Sequence, residues 1–182
     1  MTNFLYKLLL TFNSTSLMLV LYCIKEEKTI PWEKIHLNPI IIPDYISYIL
    51  YFLTPMFLTL LSIYLANRLD NDNIEKGRII EVEQANNAFL PSYLGYFFVA
   101  LSVDKFDTLT YVFSILFLFT YFSQTLYFNP LFLIFKYKFY YVTTSNKVKI
   151  FIITRKILKN PSNIELQELK RINDFTFIDK EN

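Results

Sequence analysis

Glycine is scarce in this chain. Gly77 and Gly95 are the only two among 182 residues. A phosphate-cradling P-loop and a dinucleotide-binding GxGxxG turn are therefore excluded, as is a GxxxG helix pair. Cys23 is the only cysteine and His36 the only histidine, which rules out a disulfide framework and a multi-histidine metal site within one chain. Charge is nearly balanced, 18 Lys and Arg against 16 Asp and Glu, so the chain is not a simple polyanion-coating protein. No Ser/His/Asp arrangement and no paired intramembrane carboxylates are present, so catalysis is not expected. No cofactor is implied. Asp70-Asn71-Asp72-Asn73 resembles a calcium loop only superficially: Ile74 stands at the fifth position and no Glu at the twelfth.

What is abundant is aromatic and apolar: 19 Phe, 14 Tyr and a hydrophobic share of 53%. That surplus exceeds what one soluble core of this length absorbs, and it points to side chains facing lipid. Four apolar stretches carry it, at residues 4–24, 45–66, 88–103 and 109–128, the last extending toward Phe135. A spanning helix needs roughly 20 apolar residues. The first, second and fourth stretches qualify. The third is short, so four spans are expected, with three spans and a buried re-entrant segment as the rival. The first stretch is read as a retained helix. No small-x-small cleavage site follows it, and Tyr22 precedes Cys23 where a lipoprotein site would need a small residue.

The expected fold class is an α-helical membrane protein: a transmembrane domain over residues 1–135 and a small cytoplasmic β-rich unit over 136–182. Lys and Arg orient it. With four spans, the side holding both termini and the 67–87 loop carries 14 of them and the other side 4. Both termini are thus expected on the cytoplasmic side. Trp32 and Tyr45 suit one headgroup layer, Tyr127 and Tyr137 the other. Residues 30–43, with three prolines, read as an ordered outer loop, and His36 within it as inert.

The tail changes period. Lys138–Thr144 (KFYYVTT) and Lys147–Thr154 (KVKIFIIT) flank a Ser145-Asn146 turn and read as a β-hairpin. Ile164–Leu169 reads as a short helical turn, and Phe175–Asp179 as a third strand. Asn67–Asn87 either extends the third helix or forms a strand at Arg78–Glu83 that joins the hairpin. Its charges read as a solvated face or a partner-binding ledge. From Lys136 onward ten basic residues face five acidic ones. Arg78, Lys136, Lys138, Lys147, Lys149, Arg155 and Lys156 are the candidate partner-docking residues. They either touch anionic lipid heads or receive an acidic protein or nucleic acid, although no nucleic-acid motif accompanies them.

Within the membrane, Asn13, Ser14, Thr15 and Ser16 cover more than one face of the first helix, and Gln124 with Ser123 reads likewise. They form an intramembrane polar seam, either interhelical hydrogen bonds or a pore lining. Pro55 interrupts the second span as a kink, and a gating hinge there is the alternative.

Four segments carry a family resemblance: Ala85–Val103 (ANNAFLPSYLGYFFVALSV), Asn129–Thr144 (NPLFLIFKYKFYYVTT), Lys147–Lys156 (KVKIFIITRK) and Arg171–Asp179 (RINDFTFID). Together they resemble the membrane subunit of the Kiwa anti-phage defence system. The resemblance implies a homo-oligomeric inner-membrane sensor of infection, a tetramer by that resemblance, paired with a soluble cytoplasmic DNA-binding effector. It assigns no individual residue a role. A small pore-forming or membrane-disrupting effector, and a membrane immunity or accessory protein, are the competing readings.

Overall fold

The computed structural model describes residues 2–32, 43–123 and 129–180. It places two layers against each other, a group of apolar helices and a six-stranded sheet. The chain order is α1 (Thr2–Lys25), α2 (Asp44–Leu65), β1 (Asn71–Ile74), β2 (Ile79–Gln84), α3 (Leu90–Ser102), α4 (Phe106–Ser123), α5 (Leu131–Ile134), β3 (Lys138–Thr144), β4 (Lys149–Thr154), β5 (Leu166–Asn173) and β6 (Thr176–Asp179).

Helix α1 is the axis of the helical layer. Its apolar window is 56% buried, against 28% for α2 and 11% for α4. Helix α4 runs antiparallel along its whole length, through ring contacts Phe4–Tyr121, Phe12–Phe113 and Tyr22–Phe106 at 5.9, 6.3 and 6.4 Å. Outward-facing aromatics account for much of the Phe and Tyr surplus: Phe98, Tyr111, Phe119 and Phe122 are 68–74% exposed. Surfaces of that kind fit lipid, where an apolar side chain loses nothing by staying outside.

Among the described residues three helices, α1, α2 and α4, are long and apolar enough to cross a membrane. Helix α3, expected as a fourth span, has only 13 residues. At roughly 1.5 Å per residue it is about 20 Å long, short of a hydrocarbon core of about 30 Å. It runs beside the distal half of α1. The Tyr93 hydroxyl donates to the Ser14 carbonyl at 2.7 Å, and Lys25 Nζ donates to the Val103 carbonyl at 2.9 Å. Turns over 86–89 precede α3, and Ala85, Ala88 and Phe89 pack in the core that the sheet shares with α1.

The sheet order is β1-β5-β6-β4-β3-β2, antiparallel except for β4 with β6. Its two edges, β1 and β2, come from the loop between α2 and α3, so the tail supplies only the four central strands. The strand expected at Arg78–Glu83 thus exists, as β2 over 79–84, paired with β3. The hairpin β3–β4 and the strand β6 also match expectation. The helical turn expected at Ile164–Leu169 is instead the start of β5, preceded by a 3-10 turn at Pro161–Asn163. The apolar residues Leu166 and Leu169, three apart, mimic helical spacing. A register irregularity between Arg171 and Asn173 follows in the same strand, and pairing with both β1 and β6 decides the conformation.

The sheet is strongly curled. The link from Ile74 to Ile79 can reach at most about 18 Å, whereas the edges of a flat six-stranded sheet lie about 24 Å apart. All six strands send side chains to a common interior: Ile74, Ile79 and Val82, Tyr140 and Val142, Ile150 and Ile152, Leu166 and Leu169, and Phe177, with Leu158 and Ile164 from the crossing segment. The alternate side chains, Phe139, Phe151, Ile153, Ile172 and Ile178, form a second core with Tyr6, Leu10, Ile63, Ala66 and Phe132 of the helices. The central strands are therefore buried on both faces, and the start of α1, the end of α2 and α5 all rest on the sheet.

Candidate functional site

Two arrangements carry the chemistry of this chain: a polar network between helices, and a set of cations around the sheet.

The network is built at the Pro55 turn of α2. Proline has no N–H, so α2 loses one ladder bond there. The helix nevertheless continues from Asp44 to Leu65. Asn13 of α1 reaches into this region. Its amide nitrogen donates to the Pro55 carbonyl at 3.0 Å. Its oxygen accepts from the Thr59 N–H at 3.3 Å, the Thr59 hydroxyl at 2.8 Å and Asn129 Nδ2 at 2.8 Å. The opposite amide orientation would set oxygen against the carbonyl, so the network fixes this one. The Thr59 hydroxyl also lies 2.8 Å from the Pro55 carbonyl, and Asn129 Nδ2 lies 3.2 Å from that hydroxyl. Asn129 Oδ1 in turn accepts from the Leu131 N–H at 2.9 Å, which starts α5. One buried cluster thus joins α1, the Pro55 turn of α2 and the entry to the sheet.

Of the expected seam, Asn13 is the member whose side chain reaches another helix. Thr11, Ser14, Thr15 and Ser16 donate to carbonyls of their own helix three or four residues back. Asn13, Ser14, Thr15 and Ser16 are all buried within the chain, and none lines an open polar channel among the described residues. Gln124 lies outside the described residues, as do His36 and Tyr127. Thr59 and Asn129 are not among the residues expected in the seam. The available signal was a polar residue one helical turn past Pro55 and an Asn-Pro pair closing an apolar run. Tyr96 and Thr120 make a second interhelical hydrogen bond, at 3.2 Å.

The cations divide into groups. Lys136, Lys138 and Arg155 line one cleft of about 550 Å³ with Asn86, Leu133, Tyr137 and Ile157. It opens where α5 leaves the helical layer. Tyr137, expected as a headgroup anchor, is instead buried against Phe132, with Arg155 stacked over its ring at 4.7 Å. It follows Lys136 into the sheet, where the second core needs a large ring, and burial there pushes its phenol pKa up. Arg78 is at the other end of β3, beside Glu75, Thr144, Ser145 and Asn146, and ion-pairs with Glu75 at 3.7 Å. Lys147 follows in the same turn region. Lys149 bonds Glu83 at 2.9 Å and covers the Tyr141 ring at 4.6 Å. The Glu83 hydrogen bond raises its pKa. Lys156 follows Arg155, and its N–H donates to the Thr154 hydroxyl at 3.0 Å. The expected docking set is therefore several patches rather than one.

Two further lysines, outside that set, make tertiary ties, one between the sheet and α2 and one within the helical layer. Lys180 Nζ donates to the Ile63 carbonyl near the end of α2 at 2.8 Å. Burial, then Arg155 and Lys170, hold its pKa below the usual lysine value. Lys25, at the far end of α1, bonds Asp104 at 2.7 Å, which keeps that carboxyl below the ordinary carboxylate range.

No curated protein and no solved structure matches this chain. A family model does: the anti-phage protein KwaA, over residues 6–178. The match takes in α1 from Tyr6 onward, the Pro55 turn, the 67–87 loop and the strands of the sheet as far as Ile178. The chain belongs to the KwaA anti-phage protein family, the membrane subunit of the Kiwa system.

Proposed function

We propose that this protein is a non-enzymatic sensor and scaffold, seated in the bacterial inner membrane with both termini in the cytoplasm, where it registers infection and positions a cytoplasmic effector. The observation that carries the reading is the cluster of Asn13, Thr59 and Asn129. A disturbance that shifts α2 against α1 must break or remake these bonds. Asn129 is two residues from α5, and α5 leads directly into β3. Packed elements with two discrete arrangements can carry such a coupling. Four crossings fit the level of α3 beside α1, since Val103 meets Lys25 at the far end. The sheet then shares a side with the start of α1, and the Lys and Arg bias assigns that side to the cytoplasm.

The effector is a soluble DNA-binding protein, by the Kiwa resemblance, and a homo-oligomer of tetramer size is the expected assembly. The sheet end bearing Arg78, Lys147 and Lys149 is offered as its docking face. In cells carrying the complete system, Arg78→Glu with Lys147→Glu should leave membrane levels intact while effector co-purification and phage protection fall together. Full protection with unchanged co-purification would refute docking at that end. The pore reading predicts single-channel conductance in planar bilayers; the scaffold reading predicts none.

A further inference from the structure

The cleft lined by Lys136, Lys138 and Arg155 is independent of the docking face proposed above, and its chemistry is more specific. Three cations line it, and its described lining residues include no carboxylate. Its remaining walls are mixed: Asn86 on one side, Leu133 and Ile157 as apolar surface. Ile157 and the neighbouring Ile134 are exposed large aliphatics at this junction. The cleft opens at the place where an apolar helical layer gives way to a polar sheet.

The backbone supplies a second, separate observation. Helix α5 ends in a left-handed turn: Lys136 has φ 65°, its N–H bonds the Leu133 carbonyl at 3.0 Å, and the Tyr137 N–H bonds the Phe132 carbonyl at 3.0 Å. This closing motif favours glycine, because a Cβ is disfavoured in that conformation. Here a lysine occupies the glycine position, and the strain is retained at the mouth of the cleft. A strained residue at such a place is a reason to look for a role in its side chain. Arg155 stacks on Tyr137 and lines the same cleft.

We infer that this cleft is a binding site for the headgroup of an anionic phospholipid, with Leu133, Ile134 and Ile157 contacting the upper acyl chain. Basic pockets at the cytoplasmic edge of helical layers hold such headgroups through charge and hydrogen bonds. A bound lipid here would bridge α5 and β4, the two elements that meet at the junction. An acidic protein segment would use the cations but leave the flanking isoleucines without a partner in water.

The test uses the full-length protein in neutral detergent, with native mass spectrometry and thermal unfolding as readouts. Phosphatidylglycerol should be retained in preference to phosphatidylcholine and should raise the unfolding temperature, while inorganic phosphate at the same concentration should do neither. Lys136→Gly is the discriminating variant. It should unfold at the same or a higher temperature than the parent without lipid, because the left-handed turn is relieved, yet bind phosphatidylglycerol about fivefold more weakly, the effect of one cation near a surface. Lys138→Gln should weaken binding similarly, and Arg78→Gln, at the other end of β3, should not. Equal retention of the two lipids, undiminished binding by Lys136→Gly, or a response to a poly-glutamate peptide in place of phosphatidylglycerol would each overturn the assignment.

Discussion

The helical layer and the sheet are held together by different physics. The central strands of the sheet are closed off on both faces, by a curled interior on one side and by the helix ends on the other. Burial of apolar surface from water stabilises them, at about 25 cal/mol per Å². In the helical layer, α4 leaves most of its apolar surface outward. Lipid is as apolar as leucine, so that surface contributes little to helix association. What fixes these helices to one another is a few specific contacts: Asn13 with Thr59 and Asn129, Tyr93 with Ser14, Tyr96 of α3 with Thr120 of α4, and edge-on ring contacts between α1 and α4. The sheet is specified by many small contributions and the helical layer by few. A signal that must rearrange one layer without melting the other would act on the few.

This contrast can be broken first in the sheet. Phe139→Ala removes a fully buried ring of the shared core and should cost about 3–5 kcal/mol. Its unfolding in detergent should shift strongly, and membrane levels should fall. If Phe139→Ala were as mild as a surface change, the shared core would not hold the layers. The helical seam should be less costly. Asn13→Leu removes the amide's bonds to the Pro55 carbonyl, Thr59 and Asn129, leaving the Thr59 hydroxyl as the remaining partner of the other two, and interhelical hydrogen bonds in lipid average about 0.6 kcal/mol with a maximum near 1.7. A loss of about 1–2 kcal/mol is expected, read as a modest shift in unfolding, together with a loss of phage protection out of proportion to it. Retained protection would separate the seam from function.

Tyr6 offers a change of opposite sign. Its hydroxyl is buried where helix and sheet meet and has no hydrogen-bond partner among the described residues. Tyr6→Phe should therefore stabilise by up to about 1 kcal/mol. Destabilisation would reveal a bond that the hydroxyl makes. The Lys25–Asp104 pair at the far end should act through pH. Asp104 has a depressed pKa in the folded state, so its contribution is present above the ordinary aspartate value and is lost as pH falls through the lowered one. The difference in unfolding temperature between parent and Asp104→Asn should be small at pH 7 and begin to fade only as pH drops below about 4. Smallest of all, Phe119→Ala on the outward face of α4 should stay within about 0.5 kcal/mol in a bilayer. A larger effect would mean that α4 faces protein rather than lipid.

Much of this contrast is legible in the amino-acid sequence. The long apolar runs locate α1, α2 and α4, and alternation with β-branched residues locates β3 to its ends. The sheet's edges are harder to read. Asn71–Ile74 has almost no strand propensity, and it is held as β1 by pairing with β5 and by the Arg171–Asp72 ion pair at 2.6 Å. β5 itself mixes polar residues with leucines at helical spacing, so only its neighbours decide it. The polar run Asn13–Ser16 shows that α1 must hide hydroxyls and an amide. It does not show which of them reaches across, because Ser and Thr can satisfy themselves on their own helix. Thr59 and Asn129 are 46 and 116 residues from Asn13 in the chain, and nothing local marks them as its partners.

The coupling between the two layers is the central claim, and hydrogen exchange tests it most directly. The comparison is the parent and Asn13→Leu, full length in lipid nanodiscs, read at the amides of β3 and β4. Coupling through Asn129 and α5 predicts faster exchange along 138–144 and 149–154 in the variant, although the hydrogen-bond partners of Asn13 are Pro55, Thr59 and Asn129 rather than strand residues. Unchanged exchange in both strands, with faster exchange confined to α1 and α2, would contradict it.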